Sequence, residues 1–146
     1  MEKILISACL VGDKTKYDGR SNYTDKVKLL LEKYELVPFC PEMEGGLKSP
    51  RNPSERVKDR VKMNNGKDVT KNFLAGADLA LNICLYLGIK IAILKENSPS
   101  CGTHQIYDGT FSNKLIDGMG VTAELLKRKG IRVISENEID TLLEND

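Results

Sequence analysis

The chain has 146 residues, close to the ~150 of one ordinary domain, and its 22 Lys and Arg against 21 Asp and Glu give a net charge of +1. That balance leaves no polyanion-binding footprint, and no apolar run approaches the ~20 residues of a membrane span. Met1-Glu2-Lys3 runs straight into a short apolar stretch that cannot form a signal-peptide core, so a cytoplasmic protein is expected.

Ile4 to Ala8 is a continuous apolar run, as in a strand covered on both faces. Residues 13 to 23 are polar and rich in turn formers, which predicts a loop. Thr24 is a candidate N-cap for a helix with Val27, Leu30, Leu31 and Tyr34 on one face. Leu36 to Phe39 reads as the second strand, and Pro38 places it at a sheet edge or makes it irregular. From Cys40 to Pro53, prolines and glycines exclude a regular element and suggest a functional loop.

Alternation from Val57 to Met63, the turn signal Asn64-Asn65-Gly66 and a return over Lys67 to Thr70 predict a small exposed hairpin. Its positive charges suit either an anionic ligand or plain solvation. A long helix then runs to about Leu87, with Phe73, Ala77, Ala80, Leu81, Cys84 and Leu85 as its apolar stripe and Gly88 past its end. Cys84 reads as a small core side chain, and Gly76 as the point where this helix approaches the sheet. Ile89 to Leu94 is the third strand. Gln105 to Phe111 is a short extended piece with a turn. Val121 to Lys129 is a helix, Ile131 to Ile134 the fourth strand, and Ser135 with Glu138 a capping box for a last helix to about Leu143.

Strands alternating with helices predict an α/β fold: a doubly wound, Rossmann-like three-layer domain over 1–146, with a mainly parallel four- to five-stranded sheet and a hairpin insertion. In such a sheet ligands bind at the carboxyl edge of the strands. Cys9 and Cys40 each close an apolar run, and Cys101 lies in the loop after the third. Three thiols distant in sequence are thus expected at one edge. Without an export signal they read as metal-binding or catalytic cysteines, and the absence of Cys-x-x-Cys argues against a zinc ribbon or a thioredoxin-type dithiol.

Converging thiolates suit a soft metal or an iron–sulfur cluster. A cubane cluster on three thiolates leaves one iron open; a zinc ion would take His104, the sole histidine, as fourth ligand. His104 fits a surface or helix-cap role equally. Glu42 can act as general base beside a Lewis-acidic metal, with Glu44 as its rival, and Ser98 and Ser100 can bond a substrate or a sulfur, or simply form a turn. A non-catalytic metal or cluster sensor, a nucleotide-binding domain without its usual glycine motif, and a thiol enzyme using Cys101 with His104 are the competing readings.

Several motifs carry a resemblance. Cys9-Leu10-x-Gly12, Tyr17-Asp18-Gly19, Cys40-Pro41-Glu42-x-x-Gly45-Gly46-Leu47 and Pro50-Arg51 occur in order. Gly66-x-Asp68-Val69-Thr70, Ser98-Pro99-Ser100-Cys101-Gly102, Ile106-Tyr107-Asp108-Gly109-Thr110-Phe111 and Gly120-Val121-Thr122 follow. Together the chain resembles the thiouracil desulfidase (TudS) family, with Lys16 where that pattern leads one to expect arginine. The resemblance implies a 4Fe-4S cluster on Cys9, Cys40 and Cys101 with one open iron, Glu42 as acid–base residue, and Ser98 and Ser100 near the substrate. It further implies a small thiolated pyrimidine base or nucleotide as substrate, in place of RNA or a membrane partner, and non-redox release of sulfide.

Overall fold

The computed structural model describes residues 1–144. The final two positions of the expected 1–146 domain lie outside the described residues. Four parallel strands form the main sheet: β1 (Glu2–Ser7), β2 (Tyr34–Phe39), β5 (Ile91–Leu94) and β8 (Arg132–Ser135), in the order β2-β1-β5-β8. The chain moves outward from β1 to β2, then crosses back to the far side of β1 to place β5. Strand order therefore reverses between β1 and β5, the crevice where an open α/β sheet binds ligands.

Side-chain alternation along these strands builds two cores, one on each face. Ile4 and Ile6 of β1, with Ile93 and Ile134, pack against α1 (Lys26–Leu31) and α5 (Asp140–Leu143) through Val27, Leu30, Ile139 and Leu142. Leu5, Ala92 and Leu94 turn the other way, against α3 (Thr70–Leu87) and α4 (Val121–Arg128), meeting Ala80, Cys84, Ala123 and Leu126. Each large aliphatic side chain withdrawn from water contributes about 1.5–3 kcal/mol. Cys84 is 1% exposed within this second core, the packing role its helical position predicts.

β2 lies at the sheet edge, where the missing amide of Pro38 is tolerated. Tyr34 opens this strand instead of closing the helix before it, because α1 ends at Leu31. The cap of α1 is assigned to Asp25, while the Thr24 hydroxyl accepts only a long 3.5 Å bond from the Lys26 amide. The Ser135–Glu138 capping box forms as the spacing predicts.

Three expectations are corrected. The hairpin pairs β3 (Ser54–Val57) with β4 (Arg60–Met63) and turns at Lys58, whose φ is 54°. The Asn64-Asn65-Gly66 turn is real, yet the returning segment makes only a Lys62–Asp68 bridge. Here the burial of Val61 and Met63 against Val69 and Phe73 sets the register, over the local turn signal. The segment after Cys40 is also not wholly irregular. It contains a single helical turn, α2 (Pro41–Glu44), with proline at the first helical position, where its missing N–H is harmless. Lastly, Gly76 approaches α2 and not the sheet: a β-carbon there would stand 1.9 Å from the Pro41 carbonyl oxygen. The Asn72 side chain fastens the same contact by donating to Gly45 O at 2.8 Å.

A second small sheet pairs β6 (Gln105–Tyr107) with β7 (Leu115–Asp117), a strand the sequence pattern does not reveal. All three β7 residues are exposed, so it carries no apolar alternation to read.

Candidate active site

Cys9 sits on a short 3-10 turn, Ala8–Val11, that begins where β1 ends. Cys40 immediately follows β2 and precedes α2 in extended conformation. Cys101 lies in the loop after β5. All three line one cavity of about 460 Å³ at the carboxyl edge of the sheet, within the ~300–1,000 Å³ of ordinary ligand sites. Cys101 is buried, Cys9 and Cys40 are half-buried, and none is in a disulfide.

The Cys101 loop is fixed from two sides. The Ser98 hydroxyl accepts the amides of Ser100 and Cys101, each at 3.1 Å. Behind the loop, the orphan amides at the start of α4 find their acceptors in it: Val121 N donates to Pro99 O, and Thr122 N and Ala123 N to Ser100 O. On the opposite side stands Glu96, only 9% exposed. Its carboxylate accepts the amides of Asn97, Thr103, His104 and Gln105 and the Thr103 hydroxyl, at 2.7–3.3 Å. Burial works against the Glu96 charge, but these donors outweigh it and hold the carboxyl below its ordinary value.

Glu42 projects from α2 into the same cavity, whereas Glu44 is exposed and off the lining. The Glu42 oxygens have separate partners. Oε1 accepts from Arg51 through Nε at 3.1 Å and Nη2 at 3.0 Å, and Oε2 accepts the Ser100 hydroxyl at 3.0 Å. Ser98 and Ser100 hydroxyls lie 2.9 Å apart. A chain of polar groups thus runs Ser98–Ser100–Glu42–Arg51 along the cavity wall. The Arg51 side chain is 5% exposed and also donates to Thr15 O and Lys48 O. A carboxylate and a guanidinium this deeply buried compensate one another; removal of either leaves an unpaired buried charge.

Burial raises all three thiol pKa values, Cys101 to about 12. Asn22 opposes the rise at Cys9 through a 3.4 Å bond to sulfur, and Ser7 and Ser100 oppose it at Cys101. The thiolate is the form that binds a metal, so a thiophilic cation bound here would have to displace protons that burial holds on these sulfurs. Among the described residues no group of three His, Cys, Asp or Glu side chains is placed to hold a single metal ion. Three cysteines on one cavity are, by donor chemistry, a set that an iron–sulfur group can take. His104 does not line that cavity; its ring pairs with Glu138 at 2.8 Å on the surface. The zinc site and the Cys101–His104 thiol pair therefore do not form.

Sequence reasoning gave no role to Arg51, Asn22, Glu96 or Ser7. Arg51 had a signal in the Pro50-Arg51 motif; the others act through partners far along the chain. The hairpin cations do not serve the cavity: Arg56 pairs with Glu124 and Arg60 with Asp68.

The family described as 2-thiouracil desulfurase matches residues 4–138. The chain is 41% identical to the Bacillus subtilis (strain 168) protein YbbK, described as uncharacterized, over 96% of this chain and 99% of that one. Its fold superposes on the solved structure of a 4Fe-4S-dependent thiouracil desulfidase, TudS, with a TM-score of 0.92 and 45% identity, covering 97% of this chain and 95% of the other. With a family match across most of its length and close relatives end to end, the chain belongs to the 2-thiouracil desulfurase family.

Proposed function

We propose that this protein is a desulfidase that replaces the exocyclic sulfur of a thiolated uracil, or of its nucleotide, with oxygen from water. Membership of the family supports the reaction class, and the 4Fe-4S dependence of the TudS neighbour supports the cofactor. The observation that carries the reading is the shared cavity: Cys9, Cys40 and Cys101 line it together with Glu42 and Ser100.

Cys9, Cys40 and Cys101 would hold the cluster. When bound on three thiolates, such a cluster supplies an open iron, a soft Lewis acid suited to a sulfur donor. The protein's own groups do the rest. Arg51 occupies Glu42 Oε1 and so orients the carboxylate, leaving lone-pair capacity on Oε2 beside Ser100. A water held at Oε2 loses its proton to Glu42 as its oxygen attacks the thiocarbonyl carbon. The Ser98 and Ser100 hydroxyls lie next to this carboxylate and can donate to the departing sulfur or to the ring. The balance is thiouracil plus water to uracil plus hydrogen sulfide. Carbon keeps its oxidation level, so no electron donor is needed.

The alternative is a non-catalytic redox sensor that holds a metal or cluster in the same cavity, and turnover separates the two. The test is sulfide release by anaerobically reconstituted protein from 2-thiouracil, 4-thiouracil and 4-thiouridine 5′-monophosphate. Uracil or uridine monophosphate should appear in equal amount with sulfide; no sulfide from any of them would overturn the reading.

A further inference from the structure

The Ile106-Tyr107-Asp108-Gly109-Thr110-Phe111 motif has no part in the chemistry above. Its loop joins β6 to β7 and is tied down over the cavity. Glu55, at the start of the hairpin, accepts the amides of Gly109 at 2.8 Å and Phe111 at 3.1 Å on one carboxylate oxygen. Asp108 accepts the Thr110 amide and hydroxyl, and Thr110 in turn meets the Ser112 hydroxyl at 2.6 Å. Gly109, at φ 97°, lets the loop lie against β3: a β-carbon there would come within 2.1 Å of Val57 Cγ2.

This clamp holds Phe111 at φ 57°, a left-handed conformation that is an outlier for a bulky side chain. Phe39 and Phe73 are buried in the cores, but Phe111 belongs to none of the apolar clusters. It is 37% exposed and lines the cavity that holds the three thiols. Strain retained at a position that contributes nothing to core packing points to function. Beside Glu55, Ser54 lines the same cavity, and its buried hydroxyl has no hydrogen-bond partner among the described residues. An orphaned buried hydroxyl is itself unfavourable until something meets it.

We propose that Phe111 is the aromatic face on which the pyrimidine ring stacks, with the Ser54 hydroxyl bonding a polar atom at the ring's edge. The assignment rests on the desulfidase reading for its substrate class. A pyrimidine has two flat apolar faces and a polar rim, and Phe111 and Ser54 offer the matching surfaces. Stacking acts on ground state and transition state alike, so it appears in KM and not in kcat.

The test compares wild type with F111A, F111L, F111Y and S54A, all reconstituted anaerobically and matched for iron content and melting temperature. Tyr86→Ala, on the far surface of α3, controls for loss of an exposed aromatic. Steady-state KM and kcat are measured, and uracil affinity is measured by calorimetry on the same preparations. F111A and F111L should raise KM about tenfold, within the range for one base on one aromatic ring, and weaken uracil binding equally, with kcat within about threefold. F111Y should recover most of that loss, and S54A should raise KM about fivefold. An active wild type whose F111A and F111L variants keep KM and uracil affinity within twofold overturns the stacking assignment and leaves the desulfidase reading standing. A wild type that binds uracil through Phe111 but releases no sulfide does the reverse. A wild type that neither binds uracil nor turns over removes both.

Discussion

Glu96 is the residue whose replacement should reveal how the Cys101 loop is held. Glu96→Ala removes the acceptor of five hydrogen bonds. His104 and Gln105 are exposed residues, but Thr103 is 6% exposed and its amide and hydroxyl would be stranded. Two buried bonds to a charged acceptor at about 1.5–3 kcal/mol each suggest a loss of roughly 3–6 kcal/mol. At about 3 °C per kcal/mol for a chain of this size, the melting temperature should fall by roughly 10 °C or more. Glu96→Gln keeps one oxygen for the amides and can donate its NH2 to the Thr103 hydroxyl, so its loss should be nearer 1 kcal/mol. Because the Glu96 pKa is held below its ordinary 4.5, its contribution is present in full above about pH 4.5 and is lost as the pH falls through the lowered folded value. Thermal melts of the three proteins between pH 3 and 8, with iron per chain after reconstitution, form the assay. Glu96→Gln should flatten the acid limb, and Glu96→Ala should lose iron as well as stability. Melting within 2 °C of wild type for Glu96→Ala, with full iron content, would refute this account of the loop.

Two further outcomes follow from the geometry. Glu42→Gln should retain the cluster spectrum and lose at least about 100-fold in turnover, the lower end of general-base effects; full activity would remove Glu42 from the chemistry. Gly76→Ala drives a methyl toward the Pro41 carbonyl, 1.9 Å from the β-carbon site. It should destabilise by about 1–3 kcal/mol as an overpacked contact and displace α2, which carries Glu42. Wild-type melting and turnover in that variant would show that α2 is not seated on α3.

The main sheet was legible because its strands are short apolar runs covered on both faces, separated by helices with clear stripes and ends. Pro38 correctly placed β2 at an edge, and Cys84 stood in a stripe that a core would absorb. The cysteines at the strand ends were legible for the same reason, since topology alone carries them to one edge. What failed depends on partners distant in sequence. The hairpin register follows the burial of Val61 and Met63 against α3, which outweighs the local Asn-Gly signal. The role of Gly76 depends on α2, a turn that proline and glycine content had concealed. Glu55 and Glu96 are ordinary charged residues in sequence, and Arg51 stands out only through the Pro50-Arg51 motif; their importance arises from loops they hold across as many as 56 positions.

The central claim concerns which sulfurs hold the cluster, and cysteine replacement under anaerobic reconstitution tests it most directly. Cys9→Ser, Cys40→Ser and Cys101→Ser, each alone, should lose the visible cluster absorbance and most bound iron and sulfide, while Cys84→Ser, in the α3 core, keeps them. Wild-type iron, sulfide and absorbance in all three of the first set would contradict the account.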